Sequence, residues 1–578
     1  MNQVKRQLTV DQSPTEETKK LRNEFDVSIT CFENLSNEIF CEIFDDMNGL
    51  YIYQAFSNLN YRFQQLISSS LVRFKIYSYP SLDKLNTNIY QQLVLNHKHQ
   101  IISIDTSLPY LNSYLFLNIF NIDSSFERLE SLIIKNIEGD LLISVLINLI
   151  SLSRLFSLTI QLNNKVVNLN HVYQLIFVLP ALKYNKLTIG GDEHLILLSM
   201  ATNKQLSTIE CLIIENHLTF NELFTIISYT PKLYRLHFHH TYKRDKSIKR
   251  MLPMTLSNLT YLSICISVKF NHFEIFIRKI HSKLKYLSVN ISSKDITFLD
   301  AYRWEELILQ NLPQLEKLSF QYFDRINDEY EYPSKLNQFC SSFWMKRKWV
   351  FGVEIVDDYI VYFIHPYKKR WYEYVDEKII NCSTDLFKFN PLILNTTSWD
   401  VFSESINMKI QRSLTLVQIY HLSIPEVDVI VNELLQILDA LPDLISIKIF
   451  SLSLAQPKDL YKTRFDVSYS TKKTNKITKF CLDSITDMEE VYVVMKLCPY
   501  IVYLKIDWIT DINEELFVED FFKKINEEFN NQLRLLCFNI EAADDKTIEK
   551  LERLIHLKKL CLDYTIKREV DHIFLQWK

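Results

Sequence analysis

Glycine is scarce in this chain of 578 residues, which contains only 5 glycines. Neither GxGxxG nor GxxxxGK[ST] can be assembled from their positions. Such loops need glycine because backbone amides must come very close to phosphate groups. The sequence therefore argues against a Rossmann or P-loop nucleotide site.

The chain also lacks an excess of basic charge and any long apolar run. Its 65 Lys and Arg are balanced by 69 Asp and Glu, which gives a net charge of −4. This balance argues against an electrostatic nucleic-acid binder. Residues 141–150, the longest apolar stretch of note, are too few to span a bilayer, and the polar residues 1–26 contain no apolar signal core. We expect neither a nucleic-acid nor a membrane partner.

Cysteine pairs and catalytic motifs are missing as well. None of the 10 cysteines forms CxxC, and Cys265, Cys481, Cys537 and Cys561 lie in apolar, strand-like stretches. Buried reduced thiols explain this pattern better than a disulfide framework, so we expect an intracellular protein, cytoplasmic or nuclear. HExxH, GxSxG and a paired nucleophile and base are absent, so we expect no catalytic residues, no cofactor and no enzyme activity.

The chain does contain many copies of one short pattern, in which two leucine-like residues separated by two others precede a strand-like tail. Residues 129–134 (Leu-Glu-Ser-Leu-Ile-Ile) and 155–160 (Leu-Phe-Ser-Leu-Thr-Ile) are two copies. This repeat resembles the leucine-rich repeat, whose period is about 20–29 residues. The second leucine-like positions are Ile104, Leu132, Leu158, Leu187, Leu212, Leu236, Leu262, Leu287 and Leu318, and then Ile419, Ile447, Phe480, Leu504, Leu536 and Leu560.

Each repeat predicts a strand followed by a helix. Alternate residues of the strand are apolar, and the segment that follows it, such as residues 220–228, suits an amphipathic helix. No unit can bury its apolar face alone, so stacking must create the core. The predicted fold class is an α/β solenoid, an irregular horseshoe with strands on its concave face and helices on its convex face.

Residues 32–66 precede the repeats and predict three short helices. The first begins near Ser36, with Asn34 or Ser36 as its cap, and the second spans about 50–56. We expect Ser57 to cap the third helix. Leu35, Ile39 and Ile43 form an apolar stripe on the first helix, widened by Phe40, Phe44 and Met47.

This segment resembles an F-box, a motif that opens with Leu-Pro-x-Glu, continues with an Ile/Leu-rich helix and ends in a third helix. Residues 35–39 (Leu-Ser-Asn-Glu-Ile) supply the opening, with Ser36 in place of the usual proline. The resemblance implies a substrate-recognition subunit that binds a Skp-type adaptor, and through it a cullin–RING ubiquitin ligase, while the repeats hold an unknown protein substrate. The implied adaptor-binding residues are Leu35, Ser36, Ile39, Ile43, Phe44, Phe56, Leu59 and Phe63.

Two simpler interpretations stay open. The three helices would merely cap the end of the repeat array, which needs a closed terminal unit. The chain would then be a leucine-rich-repeat interaction scaffold with no role in ubiquitin transfer.

Polar strand positions are the candidates for substrate binding. They include His237, His239, Lys448, Lys505 and Asp507. His237 and His239 point to one face, but no Cys or carboxylate accompanies them at ligand spacing, so we expect no metal.

A different kind of segment separates the two runs of repeats. It contains four of the 7 tryptophans and two basic triplets, at 346–348 and 368–370, and it predicts a hairpin of strands 349–356 and 359–364. The segment either plugs the join between the repeats or recognises acidic or phosphorylated sequences. The predicted organisation is a disordered tail at 1–28, an F-box at 29–70, a first repeat arc at 71–322, a β-rich aromatic insertion at 323–411 and a second repeat arc at 412–578.

Overall fold

The structure is a computed structural model, and the part of the chain that it describes excludes the predicted tail at 1–28. The chain divides into two compact units, Met1–Gly191 and Asp192–Lys578. Among the described residues, every helix is too short or too polar to cross a bilayer. The described residues are 33, 35–77, 84–106, 120–137, 139–162, 168–190, 196–240, 253–325, 339–356, 359–368, 371, 390–395, 404–414, 417–454, 476–510, 513–528, 532–541, 543–561 and 563–577.

The first unit begins with three helices and continues as alternating strands and helices. Its strands pair in chain order, each parallel to the next. The elements are α1 (Asn37–Asp46), α2 (Gly49–Phe56), α3 (Tyr61–Ser68), β1 (Phe74–Tyr77), α4 (Lys84–His97), β2 (Ile101–Thr106), β3 (Ser131–Lys135), α5 (Gly139–Leu149), β4 (Ser157–Leu162), α6 (Leu169–Phe177) and β5 (Tyr184–Ile189).

The second unit repeats the alternation of strand and helix over a longer stretch. Its elements are β6 (Cys211–Leu218), α7 (Phe220–Ser228), β7 (Arg235–His240), β8 (Met254–Leu256), β9 (Tyr261–Ile266), α8 (Phe270–Lys279), β10 (Ile280–Ser282), β11 (Tyr286–Ile291), α9 (Ala301–Asn311), β12 (Lys317–Arg325), α10 (Ser342–Lys346), β13 (Trp349–Val356), β14 (Tyr359–Pro366), β15 (Pro391–Asn395), α11 (Glu404–Leu414), β16 (His421–Ile430), α12 (Val431–Ala440), β17 (Ser446–Ser453), β18 (Lys479–Ile485), α13 (Met488–Leu497), β19 (Tyr503–Ile509), α14 (Glu514–Glu528), β20 (Leu535–Asn539), α15 (Asp545–Leu557), β21 (Tyr564–Glu569) and β22 (His572–Trp577).

The strands of the second unit form a long, mostly parallel sheet. The pairing order is β6, β7, β9, β11, β12, β14, β13, β15, β16, β17, β18, β19, β20, β22 and β21. Antiparallel pairing occurs at β14 and at the final hairpin of β21 and β22. Strands β8 and β10 pair separately. A mixed α/β fold with a long parallel sheet is compatible with the predicted solenoid, whereas its horseshoe curvature, its leucine-rich-repeat class and the domain boundaries stay predictions.

The predicted repeat register is confirmed over most of the chain. In the second unit the leucine-like positions from Leu212 to Leu318 are direct partners on neighbouring strands. The same holds from Ile447 to Leu536, and from Ile104 to Leu158 in the first unit. These residues are all buried, so periodicity alone identified the core positions.

Three predicted register positions are wrong. Asn185 rather than Leu187 lies opposite Leu158, to whose carbonyl oxygen its side chain donates a hydrogen bond of 3.2 Å. Leu422 is the partner of Ile447, because Ile419 is the first rather than the second leucine-like residue of its copy. Leu560 lies in no strand, because antiparallel β22 occupies the place beside β20.

Aromatic side chains fill the layer between the sheet and its helices. Phe220 of α7 and Phe276 of α8 stack at 4.3 Å, and both contact Phe238 of β7. Trp304 of α9 packs edge-on at 5.4 Å against Phe320 of β12. The helices therefore cover the face of the sheet that carries the leucine-like residues. The opposite face, made by the alternate strand positions, is called the open face below.

The predicted hairpin is confirmed, since β13 and β14 pair antiparallel across residues 357–358. It continues the sheet, because β14 pairs with β12 and β13 pairs with β15. Arg412 of α11 and Asp324 of β12 form an ion pair of 3.1 Å, which ties α11 to the strand before the hairpin. The described strands of the segment 323–411 thus change direction without breaking the sheet.

Gly352 is required where the hairpin is closest packed. A Cβ at this position would lie 2.5 Å from Cζ and 2.7 Å from Cε2 of Phe363, and 2.9 Å from Cγ of Pro391. These separations are well below van der Waals contact. The ring of Phe363 therefore takes the space that any other residue would need.

We expect Gly352→Ala to lower the free energy of unfolding by about 1–3 kcal/mol, the usual effect of overpacking a filled core. Urea denaturation measures it. The same substitution in a Phe363→Leu background should cost less, because leucine lacks the two ring atoms that clash. An equal cost in both backgrounds would contradict the assigned clash.

Candidate functional site

The three N-terminal helices enclose an aromatic core of their own. Phe40 packs edge-on against Phe63 at 4.9 Å, and Phe56 lies 5.0 Å from both Phe44 and Phe63. All four rings are buried. Edge-on and tilted aromatic pairs at these distances contribute about 0.5–1.5 kcal/mol each beyond the area that they bury.

This core corrects part of the predicted adaptor surface. Phe44, Phe56 and Phe63 hold the helices together and so do not offer a docking surface. By contrast, 42% of Ile39 and 52% of Leu59 are exposed. Tyr51 and Tyr61, which the sequence analysis did not select, are exposed too.

Helix α1 carries two apolar stripes that point in different directions. Phe40 and Phe44 face the buried core. Ile39 and Ile43 each lie one position before a phenylalanine, and Ile39 is exposed whereas Ile43 is half-buried. Residues four apart share one face of a helix, so these isoleucines form a second stripe. Leu35 is half-buried just before the helix.

The start of α1 is held by two polar side chains. The Ser36 hydroxyl accepts a hydrogen bond from the Ile39 amide at 3.5 Å, so Ser36 is the helix cap. Arg62 of α3 donates to the Leu35 carbonyl oxygen at 2.5 Å and to Asn37 Oδ1 at 2.9 Å.

Helix α3 is capped by Asn60, so the prediction of Ser57 as its cap is wrong. The asparagine side chain reaches the Phe63 amide, whereas Ser57 ends α2.

The predicted substrate-binding residues lie on the open face of the second unit in two separate groups. His237 and His239 of β7 have ring centroids 5.3 Å apart, and His217 of β6 lies 6.1 Å from His239. The His237 Nδ1 atom lies 2.9 Å from the Ser263 hydroxyl oxygen. Burial lowers the pKa of His239, and a nearby His217 lowers it further. His239 is therefore biased toward the neutral form.

Lys448, Lys505 and Asp507 belong to a second group, a network of ion pairs on β17, β18, β19 and β22. Lys505 Nζ lies 2.6 Å from Asp507 Oδ1, and Lys448 Nζ lies 2.9 Å from Asp483 Oδ1. His572 Nε2 lies 3.3 Å from Asp507 Oδ1. The parallel register aligns Lys448, Cys481 and Lys505 in one open-face column, and Asp483 and Asp507 lie two positions further along their strands.

The network shifts the pKa values of its two carboxyl groups in opposite directions. Burial alone would raise the pKa of Asp507, but its hydrogen bond and ion pair with Lys505 lower it below the usual 3.8. Burial raises the pKa of Asp483 despite the nearby Lys448. For Lys448, burial opposes the charge, but the hydrogen bond to Asp483 and the attraction of nearby acidic groups, Asp483 and Asp507 among them, together outweigh burial and raise the pKa. Two neighbouring carboxylates commonly divide in this way, since like charges disfavour ionising both.

The Cys481 thiol lies between the two carboxyl groups. Its Sγ atom is 3.7 Å from Asp483 Oδ1 and 3.9 Å from Asp507 Oδ2. Cys481, Asp483 and Asp507 are thus close enough to share an ion. However, burial holds the pKa of the thiol well above its usual value, and Lys448 and Lys505 already match the two carboxylates. A metal cation would have to displace both ammonium groups.

Trp371 covers the neighbouring part of the open face. Its ring lies 5.4 Å from that of Tyr503, and both Trp371 and Phe574 pack against the buried cluster of Tyr503, Leu535 and Cys537. Burial raises the pKa of Cys537 to about 12. The open face is therefore partly dry here, which strengthens the nearby ion pairs.

Sequence analysis missed Asp483, Cys481, His572 and Trp371 as members of this site. Asp483 and Cys481 were detectable in principle, because each occupies an open-face position next to an aligned core residue. His572 was not, because the antiparallel strand that carries it breaks the repeat pattern. In comparisons with known proteins, no family model matches the chain and no curated protein is similar to it.

We expect Asp507→Asn to lower the free energy of unfolding at pH 7 by about 1–3 kcal/mol, since it removes a charged partner from Lys505 and His572. Because the folded-state pKa of Asp507 lies below 3.8, the difference from the wild type should be full above that pH. The difference in stability should disappear as the pH falls through the folded-state pKa of Asp507.

Asp545→Asn is the matched control, measured by the same urea titrations. Asp545 pairs with Arg568 at 3.1 Å, but its side chain is 92% exposed. Exposed pairs contribute little, so the stability should change by less than about 1 kcal/mol. Equal effects of the two substitutions would show that the network is as solvated as an ordinary surface pair.

Proposed function

We propose that this protein is a substrate-recognition subunit of a Skp–cullin–F-box ubiquitin ligase. In this proposal α1–α3 bind a Skp-type adaptor, and the open face of the second unit holds a protein substrate. The protein itself performs no catalysis, since the transfer chemistry belongs to the partner subunits. The buried free thiols of Cys211, Cys481, Cys498 and Cys537 favour a reducing intracellular compartment, cytoplasmic or nuclear.

The outward apolar stripe on α1 is the observation that carries the proposal. A small helical unit with its own closed aromatic core has no internal need for Ile39, Ile43 or Leu59 on its surface. Apolar side chains that remain exposed next to one another on a helix are a common mark of a protein-binding surface. The order of the three helices also agrees with the F-box resemblance.

The alternative role of the three helices, as a cap on the first strand, uses a different part of their surface. The Asn48 side chain donates to the Tyr77 carbonyl oxygen at 2.8 Å, and a Cβ on Gly49 would lie 3.0 Å from Phe74. The start of α2 thus packs closely on β1. Ile39 and Leu59 remain exposed beside that contact. Capping the first strand therefore leaves a surface available for a partner.

Ser36 also bears on the resemblance. Proline is favoured at the start of a helix because it fixes the first turn. Here the Ser36 side chain stabilises that turn by capping, and Arg62 fixes the approach of the chain. The replacement of proline by serine is therefore compatible with a well-formed first helix.

We expect Ile39→Asp combined with Ile43→Asp to abolish binding to a Skp-type adaptor, because an unpaired carboxylate in an apolar interface costs several kcal/mol. Co-expression of the full chain with the adaptor, followed by size-exclusion chromatography, measures the complex. Circular dichroism checks that the variant is folded.

Ile147→Asp is the matched control. Ile147 lies on α5 and is 51% exposed, close to the value for Ile39, so this variant should still form the complex. Adaptor binding that survives both changes on α1 would show that the docking surface is assigned wrongly. A folded wild-type chain that forms no complex would leave the interaction-scaffold interpretation.

A further inference from the structure

A pocket opens on the open face of the second unit, beside the ion-pair network. Its volume is about 190 Å³. Val350, Tyr367, Trp371 and Pro391 provide its apolar walls. Pockets for drug-sized ligands usually measure about 300–1,000 Å³, so this one suits a side chain better than a whole small molecule.

The wall made by Trp371 is held from outside the pocket. Its ring packs against Tyr503, which is itself 1% exposed. The floor is fixed as well, because the His421 Nδ1 atom lies 2.7 Å from the Ser446 hydroxyl oxygen and both residues are buried. A pocket whose walls are already packed loses little conformational freedom when it binds a ligand.

The charged residues in the described lining of the pocket are both lysines. Lys368 and Lys448 line it, together with the imidazoles of His365 and His421. No Asp or Glu is present among the described residues of its lining. Asp483 pairs with Lys448 at 2.9 Å and offsets its charge, whereas Lys368 is exposed. The mouth therefore favours an anionic group next to an apolar one.

We propose that this pocket binds an acidic segment of a partner protein, with an apolar side chain inserted against Trp371 and a neighbouring carboxylate paired with Lys368. The proposal rests on the proposed function, because it assigns a substrate class to the receptor surface. It also explains why aromatic and basic residues are concentrated in the segment 323–411. That segment supplies three of the strands that line the pocket, β13, β14 and β15, together with Tyr367, Lys368 and Trp371.

A fluorescein-labelled peptide of sequence Asp-Asp-Phe-Asp-Asp provides the test, with binding to the full chain followed by fluorescence anisotropy. We expect binding that weakens as salt is added, because exposed ion pairs are screened. A peptide with lysines in place of the aspartates, or with alanine in place of phenylalanine, should bind at least about fivefold more weakly, a factor that corresponds to the upper range for one exposed pair.

Two variants locate the binding site. Lys368→Glu should weaken the acidic peptide by about fivefold or more, and Trp371→Ala should weaken it similarly. Lys232→Glu is the matched control, because Lys232 is exposed on the turn before β7, and it should leave the affinity unchanged. Lys368 is exposed, so its replacement tests the pocket even if Trp371→Ala destabilises the fold.

The proposal is overturned if the acidic peptide does not bind the wild type at about 1 mM, a very weak affinity. It is equally overturned if Lys368→Glu binds as well as the wild type, or if the lysine peptide binds as tightly as the acidic one. Adaptor binding by the same variants is measured separately by size exclusion. Lys368→Glu should leave it intact, so failure of the pocket and failure of the ligase role give different results.

Discussion

Each strand must bury its apolar side chains against those of the neighbouring strands. The rest of this structure depends on that constraint. One strand and its helix cannot bury enough surface to be stable alone, so each leucine-like residue is placed opposite another. In the second unit this row of partners runs from Leu212 to Leu318 and again from Ile447 to Leu536. The two ends of such an array must be closed, since an open strand edge would pair with other chains.

The outer strands β1 of the first unit and β20 of the second are covered in different ways. In the second unit, antiparallel β22 covers β20, and β21 covers β22. In the first unit, α2 packs on β1 through Asn48 and Gly49. The closing helices carry a separate aromatic core, which leaves the second stripe of α1 exposed. A structural requirement for a cap and a functional surface can therefore coexist on one small helical unit.

The core uses alternate strand positions, so the other positions are available for binding. Over most strands these open-face side chains are half-buried, but Trp371 makes part of the face drier near Tyr503. Charged groups placed there must be paired, and Lys448, Lys505, Asp483 and Asp507 are. The network is fixed and nearly neutral, and the adjoining pocket carries Lys368, which is exposed.

The sequence by itself determined the features that depend on local pattern. The spacing of leucine-like residues gave the core positions of most strands, and the hairpin at 349–364 and the helix Phe220–Ser228 followed from the residues within each segment. The three N-terminal helices were also predicted, because caps and apolar spacing act over a few residues. The pattern failed at Asn185, since a buried asparagine that donates to a neighbouring carbonyl does not look like a core residue.

Only the tertiary structure decided which side of each pattern faces the core. On α1 both the isoleucine and the phenylalanine stripes satisfy helical spacing, and contact with Phe56 and Phe63 selects the phenylalanines. Leu560 fits the repeat, but β22 already occupies the edge where its strand would pair. Likewise, Trp371 reaches Tyr503, and His572 reaches Asp507, from distant parts of the chain. Such contacts depend on how the sheet brings separate strands together, and local sequence contains no signal for that.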